Sequence, residues 1–459
     1  MLKTAFRILD APRDPNLGDY FIVTPSIKSL GDRESTRVLA VGLRGIGKSA
    51  AFKYLVEYDR SATVTVGLDR HRHMAPLPLT DVNYRISEDQ FYLDLIMEAL
   101  RLIVENGNLP VPRPPAPWVR EAGALVRKYR KLVTNSGGTI RASSLIGSGF
   151  TVTEPNPRVL VVLEHKLDRG EELLKEVCDD GLSLRIVVDD PEEVFSASKV
   201  LDVELVGGFC LAALRLSQLS QNLRVITLLK TNIYHELRSK IGDLTKYPDC
   251  ITRLSWTHDA LRELVERRVA WATQEPSGDL GDLFQGGRIT RVNALDEMIQ
   301  TVRNGPRDLL RWVYRGLVDA TEHGRTKITQ AGISSSRRDV AVASLDEMET
   351  AYGLKYEQIA LVIRAIFRHR SRQRIPVGHF IELVDDLAVN DLSMRKLQRL
   401  PWMQRTSSAR LPLVLFEVGA IAFETHKRSY QPYEPGYDLL NFERADNLYL
   451  APLLAEAVD

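Results

Sequence analysis

Val38-Leu39-Ala40-Val41 runs into Gly42-Leu43-Arg44-Gly45-Ile46-Gly47-Lys48-Ser49, and Ala50-Ala51-Phe52-Lys53-Tyr54-Leu55-Val56 follows. The middle segment is a complete G-x-x-x-x-G-K-S loop, the Walker A pattern. Its glycines let the backbone curl so that successive N–H groups aim at phosphate oxygens. Lys48 is placed for the β- and γ-phosphates and the Ser49 hydroxyl for Mg²⁺. The apolar run before the loop predicts a buried strand. The segment after it predicts the start of an amphipathic helix, whose N-terminus favours an anion. This order predicts an α/β fold with a P-loop core and a parallel sheet. It makes Gly42, Gly45, Ile46, Gly47, Lys48, Ser49 and Ala50 the candidate ATP-binding residues.

Further along the chain, Thr63-Val64-Thr65-Val66-Gly67-Leu68 predicts the next strand, and 90–104 has helical spacing. Prolines crowd 110–117 and exclude a helix or an inner strand there. Helical spacing returns over 118–133, and the glycines of 136–138 and 147–149 predict a flexible stretch. Three apolar runs then predict strands: 159–163, 184–188 and 223–229. Helical spacing recurs over 259–269, 306–320, 356–367, 380–387 and 413–423, with strand-like pieces around Tyr437 and Tyr449. Helices followed by a short β-ribbon predict a winged-helix-like end. The resulting organisation is a P-loop domain over 1–240 with a helical insertion near 90–157, a helical lid over 241–330, and a mostly helical, winged-helix-like domain over 331–459.

Hydrolysis needs a metal anchor and a group that polarises water. Leu184-Arg185-Ile186-Val187-Val188-Asp189-Asp190-Pro191-Glu192-Glu193 fits a Walker B strand. Asp189, at the strand end, would hold Mg²⁺ with Ser49. Asp190 is the first candidate to orient the attacking water and Glu192 the second. The bland alternative is an acidic turn capping a helix. The third strand ends in Lys230-Thr231-Asn232, where a polar residue can sense the γ-phosphate; Asn232 also suits a helix cap. Gly305-Pro306-Arg307-Asp308 opens a helix with proline in a favoured position. A cation at that end opposes the helix dipole, so Arg307 is a candidate to meet an external anion; it also suits a solvated arginine or a partner of Asp308. Arg364, Arg368, Arg370, Arg372 and Arg374 cluster densely enough to favour a polyanion, which makes DNA a candidate partner. His71, Arg72 and His73 lack the companions a metal site needs and read as loop residues.

A net charge of +1 confines any basic surface to a local patch. No apolar run approaches the roughly 18 residues of a membrane span, and the N-terminus lacks the apolar stretch of a secretory signal. Cys178, Cys210 and Cys250 are far apart and predict reduced thiols in a cytoplasmic protein.

The chain resembles a group of bacterial P-loop ATPases related to the KAP and STAND branches of the AAA+-like proteins. The resemblance rests on ordered pieces: Tyr20-Phe21-Ile22-Val23-Thr24, Gly45-Ile46-Gly47-Lys48-Ser49-Ala50, Asp189-Asp190 and Leu229-Lys230-Thr231-Asn232-Ile233-Tyr234. Lys246, Leu254-Ser255-Trp256, Pro306-Arg307-Asp308-Leu309 and Leu415-Phe416-Glu417-Val418-Gly419 continue it. It implies an ATP- and Mg²⁺-dependent switch of the kind found in phage-defence loci; the alternatives are an ATP-gated DNA-binding module and a P-loop scaffold that binds but barely hydrolyses ATP. A lid helix such as the one at Arg307 predicts a homo-oligomer, and the lack of a nuclease, protease or NADase constellation places any effector on a separately encoded chain. Arg253, Arg267 and Arg268 are the candidates for an arginine that completes a neighbour's site.

Overall fold

The computed structural model describes residues 2–62, 64–68, 84–105, 116–135, 157–191, 203–275, 278–302, 305–353 and 355–458. Leu39–Gly42 (β1), Val64–Leu68 (β2), Leu184–Asp189 (β3), Leu223–Lys230 (β4) and Ile251–Arg253 (β5) form one sheet in the order β2-β3-β4-β1-β5. β1, β3 and β4 are buried almost end to end, as continuous apolar runs are when they serve as inner parallel strands. The ladders β2·β3, β3·β4 and β1·β5 run parallel. β4 lies between β1 and β3, and the Thr227 N–H donates to the Val38 carbonyl at 2.8 Å.

The chain divides into two compact units. The sheet unit comprises 25–41 and 51–253. Its helices include Pro25–Gly31 (α1), Tyr84–Glu105 (α3), Ala116–Asn135 (α4), Pro157–Asp179 (α5), Val203–Ser217 (α6) and Thr231–Lys240 (α7); α2 is the helix after the P-loop, Lys48–Lys53. α6 packs against β4 and α3 against α6, burying Phe91, Leu95, Ile96 and Phe209 with the sheet residues Ile186 and Val225. α4 and α5 pack on α3, and the Trp118 indole N–H donates to the Leu173 carbonyl at 2.9 Å.

Two buried arginines tie this sheet to the chain around α1. Arg185 and Arg224 stand opposite each other on β3 and β4. Arg185 pairs with Asp59 at 2.8 Å and donates to the Gly31 carbonyl at 2.9 Å. Arg224 donates to the carbonyls of Leu30, Asp32 and Arg37. Burial, with Arg185 alongside, pulls the Arg224 pKa down to about 10.

The second unit comprises 1–24, 42–50 and 254–459. His258–Thr273 (α8), Arg288–Thr301 (α9), Pro306–Glu322 (α10) and Gln330–Tyr352 (α11) precede Ile359–Phe367 (α12), Val377–Asn390 (α13), Leu392–Leu397 (α14), Leu411–Glu417 (α15) and Pro452–Val458 (α16). α11 packs on both α10 and α16. The fully buried Trp312 of α10 donates to the Ile333 carbonyl at 3.1 Å. Ile375–Pro376 (β6), Ile421–Glu424 (β7), Ser429–Tyr430 (β8) and Asn447–Leu450 (β9) form an antiparallel sheet in the order β6-β9-β7-β8, with β7 and β8 as a ribbon. Phe416 stacks with Tyr437 and Phe442, and Phe423 of β7 stacks with Tyr430 of β8.

Three elements differ from their sequence expectation. The run 159–163 is helical and belongs to α5, not to a strand. The helix expected over 413–423 ends at Glu417, and Gly419 (φ 71°) turns the chain into β7. Tyr437 is not in a strand; its hydroxyl ties the Phe416 and Ile421 carbonyls at 3.0 and 2.7 Å. The proline-rich and glycine-rich segments at 110–115 and 136–149 lie outside the described residues, as do His71, Arg72 and His73. Among the described residues, no helix is long and apolar enough to cross a membrane. The cysteines are free, and Cys178 and Cys210 are buried; burial pushes the Cys178 thiol up to about 12.

Candidate functional site

The Walker A loop starts at the last residue of β1 and ends at the first turn of α2, which a π turn over Tyr54–Tyr58 prolongs. Gly45 (φ 83°) and Gly47 (φ 103°) hold left-handed backbone that a side chain would strain, and this curls the loop. Ile46 is buried, and Ser49 and Ala50 are half-buried. Lys48 is buried, and its ammonium donates to the Gly42 and Leu43 carbonyls at 3.3 and 3.5 Å. Its own loop thus holds the cation that the sequence assigns to phosphate. The Trp256 indole N–H donates to the Ile46 carbonyl at 2.8 Å. The Tyr433 hydroxyl donates to the Arg44 carbonyl at 2.7 Å. Tyr433 itself sits at φ 71°, and its carbonyl accepts from the Trp256 N–H at 2.8 Å.

Arg307, in the first turn of α10, packs against this loop. A Cβ added to Gly45 would lie 3.6 Å from the Arg307 Cβ. Its guanidinium is bound to Glu347 of α11. The same carboxylate accepts from Arg311 at 2.7 Å and from the Arg44 Nε at 3.4 Å. Burial works against both charges, yet Glu347 keeps the Arg307 pKa raised. Arg307 and Arg311 hold the Glu347 carboxyl at about 2. Asp308 pairs with Arg311 at 3.2 Å and accepts from the Ser344 hydroxyl. Sequence reasoning singled out Arg307 but not Glu347, Arg44, Arg311 or Tyr433. No local spacing links Arg44, Glu347 and Tyr433 to the head of α10.

In the sheet unit, the parallel ladder β3·β4 places Asp189 and Lys230 at the carboxyl ends of their strands. Asp190 leaves β3 with φ 47°, a conformation that aspartate tolerates better than bulkier residues. Its N–H donates to the Leu228 carbonyl at 3.3 Å, and its Oδ1 is buried with no hydrogen-bond partner among the described residues. Asn232 is buried in the first turn of α7, and its Oδ1 likewise has no partner among the described residues. Buried oxygens without donors are costly, which suits groups that await a hydrogen-bonding ligand. Thr227, three residues before the end of the central strand β4, adds a third such oxygen that sequence reasoning missed. Glu192 lies outside the described residues.

The candidate trans arginines separate by burial. Arg268 is 4% exposed, bound to Asp14 at 3.6 Å and to the Ala5 carbonyl, which removes it as a donor to another subunit. Arg267 pairs with Glu263 and donates to the Phe21 carbonyl. Arg253, on the edge strand β5, lies over the Tyr234 ring and lines a cleft of about 650 Å³ with Arg37 and Arg238.

The basic cluster spans the end of α12 and the loop into β6. Arg372 pairs with Glu456 at 2.9 Å and Arg374 with Glu424 at 3.3 Å. Arg364, Arg368 and Arg370 have no carboxylate partner among the described residues. α15, the helix before the β7–β8 ribbon, is almost wholly buried and offers no polar face for reading bases.

No protein-family model matches the chain. It is 20% identical over 366 residues to an 80.3 kDa protein of Escherichia coli (strain K12) ascribed to transposon gamma-delta. That alignment covers 76% of this chain and 51% of the relative, so the chain spans about half the length of the curated relative it matches. Among solved structures it is similar to the Aeropyrum pernix ORC2 protein in its ADPNP–ADP complexes, at 14% identity and a TM-score of 0.44. It is similar to the ADP form of that protein at 13% identity and a TM-score of 0.37. Both comparisons cover 97% of each chain.

Proposed function

We propose that this chain binds ATP with Mg²⁺ and hydrolyses it, as a nucleotide-dependent switch. The observation that carries this reading is the complete G-x-x-x-x-G-K-S loop leaving a buried inner strand, with Gly45 and Gly47 left-handed and Lys48 opening a helix. Bound Mg²⁺ would neutralise phosphate charge, held by Ser49 and, directly or through water, by Asp189. Lys48 would exchange its loop carbonyls for phosphate oxygens. Asp190 would take up the proton of the attacking water, Asn232 would orient that water, and Arg307 would meet the γ-phosphate. The buried oxygens at Asp190 and Asn232 that lack a partner among the described residues suit this division of labour.

Equilibrium binding of fluorescent ATP to Lys48→Ala tests the reading. The variant should lose binding while keeping its melting temperature, because the bonds from Lys48 to the Gly42 and Leu43 carbonyls are long, at 3.3 and 3.5 Å. Unchanged affinity overturns the P-loop assignment. The biological setting we infer from the resemblance to KAP- and STAND-related ATPases is antiphage defence, with the effector on a separate chain.

A second reading, ATP-gated DNA binding, is favoured by Arg364, Arg368 and Arg370, which carry no local counter-charge among the described residues. The same arginines suit an acidic protein partner.

A further inference from the structure

Glu347 is an unusual neighbour for a phosphate-binding loop. Three arginines converge on its carboxylate: Arg44 from the loop, and Arg307 and Arg311 from successive turns of α10. Asp308 supplies a second carboxylate, so three cations face two anions and one positive charge is in excess. Arginine recognises a carboxylate and a phosphoryl group with the same forked donors, and a phosphoryl group carries more charge and more acceptor oxygens. The cleft that holds the cluster is lined by Arg44, Gly45, Arg307, Glu347 and Tyr433 and keeps only about 20 Å³ of room, space for about one water. A phosphoryl group could enter only by displacing the carboxylate.

We propose that Glu347 sets the protein's preference between nucleoside tri- and diphosphates, by occupying the arginines that a γ-phosphate must take. The inference rests on the ATP-binding reading above. A diphosphate leaves the Glu347 cluster undisturbed. A triphosphate must break it, and part of its binding free energy is spent on doing so. The wild-type chain therefore favours the triphosphate less than its arginines would otherwise allow. Because α11 packs on both α10 and α16, the displacement acts on a helix that spans much of the second unit. Glu347 is a specificity-determining residue here, since it touches the arginines and not the nucleotide.

The test compares the full-length wild type with Glu347→Gln, using a non-hydrolysable ATP analogue and ADP, each with Mg²⁺. The amide keeps the shape and removes the charge. The expected result is an affinity for the triphosphate analogue raised about tenfold, with ADP affinity changed less than twofold. Glu347→Asp, which retracts the carboxylate by one methylene, should move the ratio the same way by less, and serves if the amide variant fails to fold. An unchanged triphosphate-to-diphosphate ratio in either folded variant overturns the proposal. So does a fall in triphosphate affinity, which would mean that Glu347 only props Arg307 in place. Lys48→Ala separates the two readings. If it leaves both affinities intact, the ATP reading fails. If it abolishes both while Glu347→Gln leaves the ratio unchanged, only the Glu347 inference fails.

Discussion

Asp190 combines a left-handed backbone with a buried oxygen that lacks a donor among the described residues. Strain and unsatisfied polarity on one residue are expected where chemistry is done. Asparagine tolerates left-handed backbone as well as aspartate does, so Asp190→Asn isolates the chemistry from the conformation. We expect it to spare ATP binding and to slow turnover about a hundredfold, ~3 kcal/mol of transition-state stabilisation, because an amide cannot accept the water proton. Asp189→Ala should impair the Mg²⁺-dependent step. Steady-state phosphate release decides between the two acids: a silent Asp190→Asn with a damaging Glu192→Gln would move the water-orienting role to Glu192. The P-loop was legible because its pattern fixes four residue types, Gly42, Gly47, Lys48 and Ser49, within eight consecutive positions. Glu347 was not, because its partners are set by the packing of α10 and α11 and leave no mark on neighbouring residues.

The strands β3 and β4 were legible as apolar runs, but each hides one buried arginine, and no periodicity says what that arginine bonds. Arg185 is 1% exposed and pairs with Asp59 at 2.8 Å. Removing one partner of such a pair leaves an uncompensated buried ion, so Asp59→Ala should cost about 3–5 kcal/mol. Urea unfolding followed by tryptophan fluorescence reads the loss, and a midpoint equal to wild type would show that the surrounding carbonyls suffice. The run 159–163 misled because five apolar residues fit a buried strand or a helix equally well; Pro157 at the head of α5 was the helical signal. Gly419 was the corresponding stop signal for α15: its N–H donates to the Phe416 carbonyl and that of Ala420 to the Leu415 carbonyl. The basic loop after α12 was legible as charge, whereas its neutralisation by Glu424 and Glu456 was not. With α15 buried, a DNA contact made through this basic loop would be to phosphates. Three arginines without a carboxylate partner among the described residues then imply a log–log salt slope of about −3, and Arg364, Arg368 and Arg370 replaced by Gln should abolish it. No gel shift at low salt, with or without ATP, would leave an acidic protein as the partner to seek.

At the scale of the whole molecule, a net charge of +1 gives no long-range reason for copies to repel or to attract. Assembly must then rest on local surface. The edge strand β5 offers one, where Arg253, Arg37 and Arg238 line an open cleft. Arg37 is tied to the Ile251 carbonyl, whereas Arg238 is exposed at the end of α7, with reach beyond its own chain. An arginine donated in trans contributes most when it meets a phosphate that its own chain has not neutralised. A head-to-tail arrangement of identical copies would bring each such edge to a neighbour's nucleotide and would close into a ring or continue as a filament. We therefore expect a non-hydrolysable ATP analogue to raise the molar mass seen by light scattering. Arg253→Ala or Arg238→Ala should block that rise without changing nucleotide affinity at low protein concentration, where the chain is dispersed. Arg268→Ala should instead lower the melting temperature, because that side chain is committed to Asp14 and Ala5 of its own chain. One monomeric mass under every nucleotide condition would sink the trans-arginine idea and leave a switch that works within a single chain.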